Sequence, residues 1–157
     1  LIVLFRNPVD RAYSNYHLGI RAVSENVSFE DAIQSELDSL KNSEIESDDD
    51  VKKYTIPRSY IAKGFYADQL KIWLKLFKSE QLFITSTEDF ESNTKNVLNK
   101  IYDFLEIPQI NLKNLGKHKV ASYPPMKDET RKFLVDLYKI HNDELFRMIS
   151  NEFDWNK

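Results

Sequence analysis

The chain opens on Leu1-Ile2-Val3-Leu4-Phe5, an unbroken apolar run rich in β-branched types. A run this short and continuous reads as a strand covered on both faces, as in a parallel sheet. Polarity changes at once after it. Asn7 suits the cap of a helix and Pro8 its first position. Helical periodicity then holds from Pro8 to about Val23, with Val9, Tyr13, Tyr16 and Ile20 on one face, suited to packing on a sheet. Asp10, Ser14, His17 and Arg21 form the neighbouring polar face.

Ser28-Phe29-Glu30-Asp31 is a second cap, with acids in the first turn. The stripe that follows, Phe29, Ala32, Ile33, Leu37 and Leu40, has one polar break at Glu36 and predicts a helix ending near Lys41. Residues 42–53 are polar and carry Glu44, Glu46, Asp48, Asp49 and Asp50, the composition of a solvated loop. Ile56 to Gly64 breaks the regular pattern. Phe65 to Phe77 predicts a third helix, with Leu70, Trp73, Leu74 and Phe77 as its core stripe. Gln81 to Ser86 predicts a second strand. A helix from Asn93 to Leu105 turns Val97, Leu98, Ile101, Tyr102 and Leu105 inward and ends before Pro108. A loop over 109–126 leads to a last helix, 127–150, patterned by Phe133, Leu134, Leu137, Ile140 and Leu145. Strands alternating with helices give the α/β class. The first residue already begins a buried strand, yet few strands follow. The expectation is therefore one domain over 1–157 whose earlier part is missing.

Composition narrows the function. A net charge of -3 excludes a general nucleic-acid binder, so any positive site is local. No apolar run is long enough to span a membrane, and no signal-peptide pattern is present. The absence of cysteine removes thiolate chemistry and sits with a reducing, cytoplasmic setting. His17, His118 and His141 are too scattered to suggest a metal site.

The chemistry concentrates at the first strand–helix junction, where open α/β sheets bind ligands. Arg6 stands at the strand end and Ser14 within the first two turns of the helix. A planar guanidinium and a hydroxyl aimed at one point suit a phosphate. The same spacing also suits an arginine paired with a carboxylate beside a solvated serine. His17 lies on the Ser14 face; it is a candidate for contacting an acceptor or moving a proton, and equally fits a solvated helix face.

Arg6-Asn7-Pro8-Val9-Asp10-Arg11-Ala12-Tyr13-Ser14 resembles the 3′-phosphate-binding segment of sulfotransferases that use 3′-phosphoadenosine 5′-phosphosulfate (PAPS). It is most similar to the heparan-sulfate-type and bacterial carbohydrate enzymes. The resemblance implies that Arg6 and Ser14 hold the 3′-phosphate. Gly64-Phe65-Tyr66 with Leu70 and Trp73 is similar to the family segment whose tyrosine approaches the adenine, which implies that role for Tyr66; its spacing alone gives a residue capping the core. Thr87-Glu88-Asp89-Phe90 resembles the family's strand-end turn, with Glu88 structural. Gly116-Lys117-His118-Lys119-Val120-Ala121-Ser122-Tyr123-Pro124-Pro125 lies where the family has a basic loop that closes over the nucleotide. Tyr123-Pro124 is kept, Val120-Ala121 replaces the usual Gly-Arg, and Lys117 and Lys119 are candidate substitutes. Tyr138 to Leu145 resembles a family helix segment read as packing, His141 included.

The fold implied is a P-loop-NTPase-like parallel sheet flanked by helices, truncated at the N-terminus. The activity implied is transfer of a sulfuryl group from a small-molecule donor, PAPS, to a hydroxyl or amine of a glycan acceptor, without a metal. No Gly-x-x-x-x-Gly-Lys phosphate loop or sulfotransferase variant of it occurs in the 157 residues. The chain alone is accordingly expected to be inactive. Two other readings share these features: a kinase-like nucleotide-binding α/β enzyme, and a degenerate non-catalytic module.

Overall fold

A computed structural model of the chain describes residues 1–23, 27–42, 59–110, 112 and 122–156. Among them, β1 (Ile2–Phe5) and β2 (Phe83–Ser86) pair in parallel, Ile2 opposite Phe83 and Phe5 opposite Ser86. Seven helical segments surround this pair: α1 (Pro8–Val23), α2 (Phe29–Asn42), a 3₁₀ turn at Ala62–Gly64, α3 (Tyr66–Leu74), α4 (Thr87–Ser92), α5 (Thr94–Phe104) and α6 (Asp128–Ile149). A further 3₁₀ turn, Ser79–Gln81, leads into β2.

The caps form as their residues dictate. The Asn7 side chain accepts the Val9 N–H at 2.9 Å, and Pro8 stands at the first helical position. Ser28 Oγ accepts the Asp31 N–H at 3.1 Å and donates to the Asp31 carboxylate at 2.7 Å. Ser86 Oγ accepts the Asp89 N–H at 3.0 Å, which starts α4 where the family resemblance implies a turn. α5 stops with Glu106 in the left-handed region, φ 55°, while the Ile107 N–H reaches back to the Tyr102 carbonyl. That closure satisfies the last carbonyls before Pro108.

Two apolar clusters organise the packing. The first joins Val9, Ala12 and Tyr16 of α1 to Phe29 and Ile33 of α2, to Tyr60 and Ile61, and to Leu134 and Tyr138 of α6. The face of α1 expected to lie on the sheet therefore lies on other helices. The second joins Phe5 of β1 to Tyr66, Ala67 and Leu70 of α3, to Leu145 and Phe146 of α6, and to Phe153 and Trp155. This cluster covers one face of the sheet. On the other face Ile2 and Leu4 are 46% and 50% exposed, and Phe83 meets Phe104 of α5 at 5.6 Å. β1 is thus covered on one face within this chain, not on both as its apolar run predicts.

Two stripes differ from expectation. α3 ends at Leu74, and the last part of its expected stripe is exposed: Trp73 is 49% exposed and tilts against Phe77. α6 is continuous through His141 and Asn142, and it turns Leu134, Tyr138, Leu145 and Phe146 inward while Phe133 and Ile140 face out. The inward residues are spaced four, seven and one, while Phe133 and Ile140, seven apart and so nearly two full turns, share a different face of the helix.

The polar break at Glu36 is a structural device. Its carboxylate accepts the backbone N–H groups of Tyr60, Ile61 and Ala62 at 2.6, 2.8 and 2.9 Å, and the Ser59 hydroxyl at 2.9 Å. Successive N–H groups opening a 3₁₀ turn point the same way, and a carboxylate satisfies them together. Tyr138 then closes over the turn, donating to the Ile61 carbonyl at 3.0 Å. A Cβ on Gly64 would stand 2.7 Å from the Tyr138 ring, so only glycine fits there. Glu36→Ala would leave three backbone donors without their acceptor. It should destabilise the fold by about 2–4 kcal/mol in chemical denaturation, with Glu36→Gln losing less because one oxygen remains.

Candidate functional site

The junction between β1 and α1 is held from three directions. The Tyr66 hydroxyl donates to the Arg6 carbonyl at 3.0 Å. The Asn7 N–H donates to Glu88 at 2.9 Å, and the other Glu88 oxygen accepts the Trp155 indole N–H at 3.2 Å. Glu88 therefore sits at the start of α4 as a structural carboxylate. β1, α3, α4 and the segment after α6 meet at one point, and Arg6 stands on it.

The charged groups nearby are mostly committed. Asp10 pairs with Arg131 of α6 at 2.5 Å. Arg11 donates to the Tyr60 carbonyl, and its charge lies beside the phenols of Tyr66 and Tyr138. Glu30 accepts from Thr130 at 2.8 Å and pairs with Lys127 at 3.2 Å; the Thr130 hydrogen bond leads in holding its carboxyl below the ordinary range. Arg6 and Ser14 differ from all of these. Both are half-buried, and among the described residues neither side chain makes a hydrogen bond or ion pair. The carboxylate partner that would give Arg6 a merely structural role is not found among those residues.

Tyr66 is brought to the site, though in a different way from the expected one. Its ring is 7% exposed, with Phe5 at 4.7 Å and Trp155 at 6.0 Å. A ring packed this far has no open face for a purine. What it does visibly is fix the carbonyl of Arg6. Burial pushes the phenol up to about 12, partly opposed by Arg11.

Tyr123 lies against α1. Its ring stacks on His17 at 4.4 Å and 6°, and Tyr13 stands edge-on to both at 4.5 and 5.4 Å. The Tyr13 hydroxyl donates to the Pro124 carbonyl at 3.0 Å; burial, then Glu30, keeps that phenol protonated above its ordinary value. His17 is thus in an aromatic stack, not on a solvated face. His141 likewise stacks on Phe65 at 4.0 Å, as a packing residue. Lys117, Lys119 and His118 lie outside the described residues, as do Val120-Ala121 and positions 43–53 of the acidic segment.

Sequence reasoning missed Glu36, Arg11 and Trp155. For Glu36 the signal was its place in an apolar stripe. Trp155, 1% exposed, had no signal, since it follows the last helix without periodicity. Among the described residues no group of three or more His, Asp or Glu side chains could hold a metal, and no helix is long and apolar enough to cross a membrane.

The description of the sulfotransferase domain matches residues 1–155. The chain belongs to the sulfotransferase family. It is 33% identical to the membrane-associated sulfotransferase kil1 of Dictyostelium discoideum over 60% of this chain and 20% of that protein. It is 27% identical to human carbohydrate sulfotransferase 15 over 99% of this chain and 31% of that protein. With the bovine bifunctional heparan sulfate N-deacetylase/N-sulfotransferase 2 it shares 28% identity over 96% of this chain and 19% of that protein. The fold matches the crystal structure of a sulfotransferase from Alicyclobacillus acidocaldarius with a TM-score of 0.78 at 24% identity, covering 99% of this chain and 57% of that one. The chain therefore spans a third or less of these curated relatives. The α/β class and the sulfotransferase assignment both hold, and the kinase-like reading falls.

The raised Tyr66 phenol sets a pH dependence. Its folded value, about 12, stands above the ordinary 10, so the folded state keeps a proton that the unfolded chain loses. The stabilisation is complete below pH 10 and is lost as pH climbs from 10 toward 12. Stability measured by denaturation across pH 9–12 should fall less steeply for Tyr66→Phe, by up to about 2 kcal/mol.

Proposed function

We propose that this chain forms the 3′-phosphate- and adenosine-binding part of an enzyme that transfers a sulfuryl group from PAPS to a hydroxyl or amine, with a carbohydrate as acceptor. One observation carries the nucleotide half of this reading. At a junction where neighbouring charges are otherwise committed, the Arg6 guanidinium and the Ser14 hydroxyl are half-buried and without partners among the described residues. Membership of the sulfotransferase family supports the transfer. The carbohydrate acceptor is supported by the names of the relatives, which include a carbohydrate and a heparan sulfate enzyme.

Arg6 supplies a planar fork of donors and Ser14 a neutral donor, and a phosphate dianion accepts from both. This contact distinguishes a 3′-phosphorylated nucleotide from AMP or ATP. Tyr66 and Glu88 hold the backbone on either side of the strand end, so the fork is presented without the entropy of a loose loop. Lys117 and Lys119 add positive charge from the segment before Tyr123, and Tyr123 anchors that segment's end. The donor brings the sulfuryl group; in transfer its bond to the phosphate oxygen breaks, a bond to the acceptor oxygen or nitrogen forms, and the acceptor loses a proton. Charge accumulates on the departing bisphosphate, and cations placed beforehand stabilise it.

The chain's three glycines, Gly19, Gly64 and Gly116, form no Gly-rich loop ending in lysine. The group that would grip the 5′-phosphosulfate is thus not among these residues, and the 157 residues alone should not turn over.

Titration calorimetry with adenosine 3′,5′-bisphosphate and with AMP tests the reading. The intact protein should bind the bisphosphate more tightly than AMP. Arg6→Ala should remove most of that preference, costing about 2 kcal/mol or roughly 30-fold in affinity. Equal binding of the two nucleotides by the wild type would overturn it.

A further inference from the structure

His17 lies one turn beyond Ser14 on α1, and its ring is in face-to-face contact with Tyr123 at 4.4 Å and 6°. The contact belongs to a larger arrangement. Tyr13 sets its edge against both rings, Tyr16 sets its edge against His17 at 5.2 Å, and Phe29 of α2 meets Tyr13 at 5.0 Å. Tyr13 also ties the backbone just after Tyr123, through the Pro124 carbonyl at 3.0 Å. Pro124 and Pro125 stiffen that backbone, since each fixes its own φ. Tyr13 and His17, on one face of α1, therefore hold a segment more than a hundred residues further along the chain, within a turn of a candidate phosphate ligand.

We propose that His17 is a positioning residue for the nucleotide, acting through its stack on Tyr123, which docks the segment Tyr123–Pro125 on α1 beside Ser14. This rests on the nucleotide-binding reading above. It also changes the role of His17. A ring engaged face-on with Tyr123 and edge-on with Tyr13 and Tyr16 is placed to hold another side chain, and its plane, rather than its proton, does the holding. The stack ties Tyr123–Pro125 to the helix that bears Ser14, so loosening it weakens nucleotide binding while leaving Arg6 and Ser14 in place.

Two substitutions separate plane from polarity. His17→Phe keeps an aromatic plane and loses both nitrogens. His17→Gln keeps a neutral donor and acceptor and loses the plane. Calorimetric titration of the intact protein with adenosine 3′,5′-bisphosphate should give His17→Phe within twofold of wild type. His17→Gln and His17→Ala should each bind about fivefold more weakly, as loss of one aromatic pair predicts. A second measurement uses Tyr123→Ala: in that background, His17→Ala should add less than twofold, because the stack is already gone. Thermal unfolding of each variant, and of the wild type, shows that the comparison is made on folded protein; should His17→Ala unfold, the Phe and Gln pair still decides.

Weak binding by His17→Phe together with normal binding by His17→Gln would overturn the proposal in favour of a polar contact. Normal binding by His17→Ala, or full additivity with Tyr123→Ala, would overturn it as well. In both cases a wild type that prefers bisphosphate over AMP, with Arg6→Ala abolishing the preference, would leave the phosphate site standing. Absence of that preference in the wild type would take both readings down.

Discussion

The carboxylate of Glu88 is the point on which the site depends. It accepts one hydrogen bond from the backbone of the β1–α1 junction and another from the indole of Trp155, 67 residues further on. Each oxygen has its own donor. A backbone N–H at the end of a strand has left its ladder and has not yet entered the helix, so it needs an acceptor from elsewhere. Glu88 supplies it from the first turn of α4, where the helix terminus also favours negative charge. The Tyr66 hydroxyl satisfies the carbonyl one residue earlier. With both backbone groups engaged, the direction in which Arg6 leaves the strand is determined before any ligand is considered. Such fixing is what a phosphate site needs, because affinity lost to ordering a flexible arginine is not recovered from the contact itself.

A comparable solution recurs under α1. The segment through Tyr60 to Ala62 crosses between helices and cannot form regular structure with them. Glu36 meets three of its N–H groups and the Ser59 hydroxyl, and Tyr138 meets the carbonyl of Ile61. Arg11 donates to the carbonyl of Tyr60. The irregular backbone is thus accommodated by three side chains from α1, α2 and α6. Removing any one leaves a polar group inside an otherwise apolar cluster, which is costlier than the mean value of a hydrogen bond suggests.

What could be read from the amino-acid order follows from the range of the interactions. The ends of α1, α2 and α6 were legible because caps and periodicity act within a few residues: Asn7-Pro8, Ser28 with Asp31, and the apolar spacing inside α6. The junction carrying Arg6 and Ser14 was legible for the same reason. Glu36, Arg11 and Trp155 were not, since their partners lie 24–26, 49 and 67 residues away. The α1 face bearing Val9 and Tyr16 was read correctly as apolar but matched to the wrong neighbour. Periodicity reports that a face is covered and is silent on what covers it. The strand run Leu1–Phe5 shows the same limit: it is uniformly apolar, while within this chain Ile2 and Leu4 stand exposed and Phe5 is buried.

The two apolar clusters explain how the candidate phosphate ligands are held relative to one another. Arg6 follows Phe5, which belongs to the cluster on the sheet. Ser14 stands between Ala12 and Tyr16, which belong to the cluster under α1. The guanidinium and the hydroxyl proposed to share one phosphate are therefore anchored in separate cores. α6 runs through both, with Leu134 and Tyr138 in one and Leu145 and Phe146 in the other. It is also bonded to α1 through Arg131 and Asp10, and to α3 through Lys71 and Glu144 at 2.6 Å. The surface ion pairs contribute little energy on their own, but a continuous helix of 22 residues fixes the spacing of the two cores by its own rigidity. Hence the helix furthest in sequence from Arg6 and Ser14 sets the spacing between them. The resemblance of its Tyr138–Leu145 segment to other family members reads naturally as packing: Tyr138 serves one core and Leu145 the other, two turns apart on a single face.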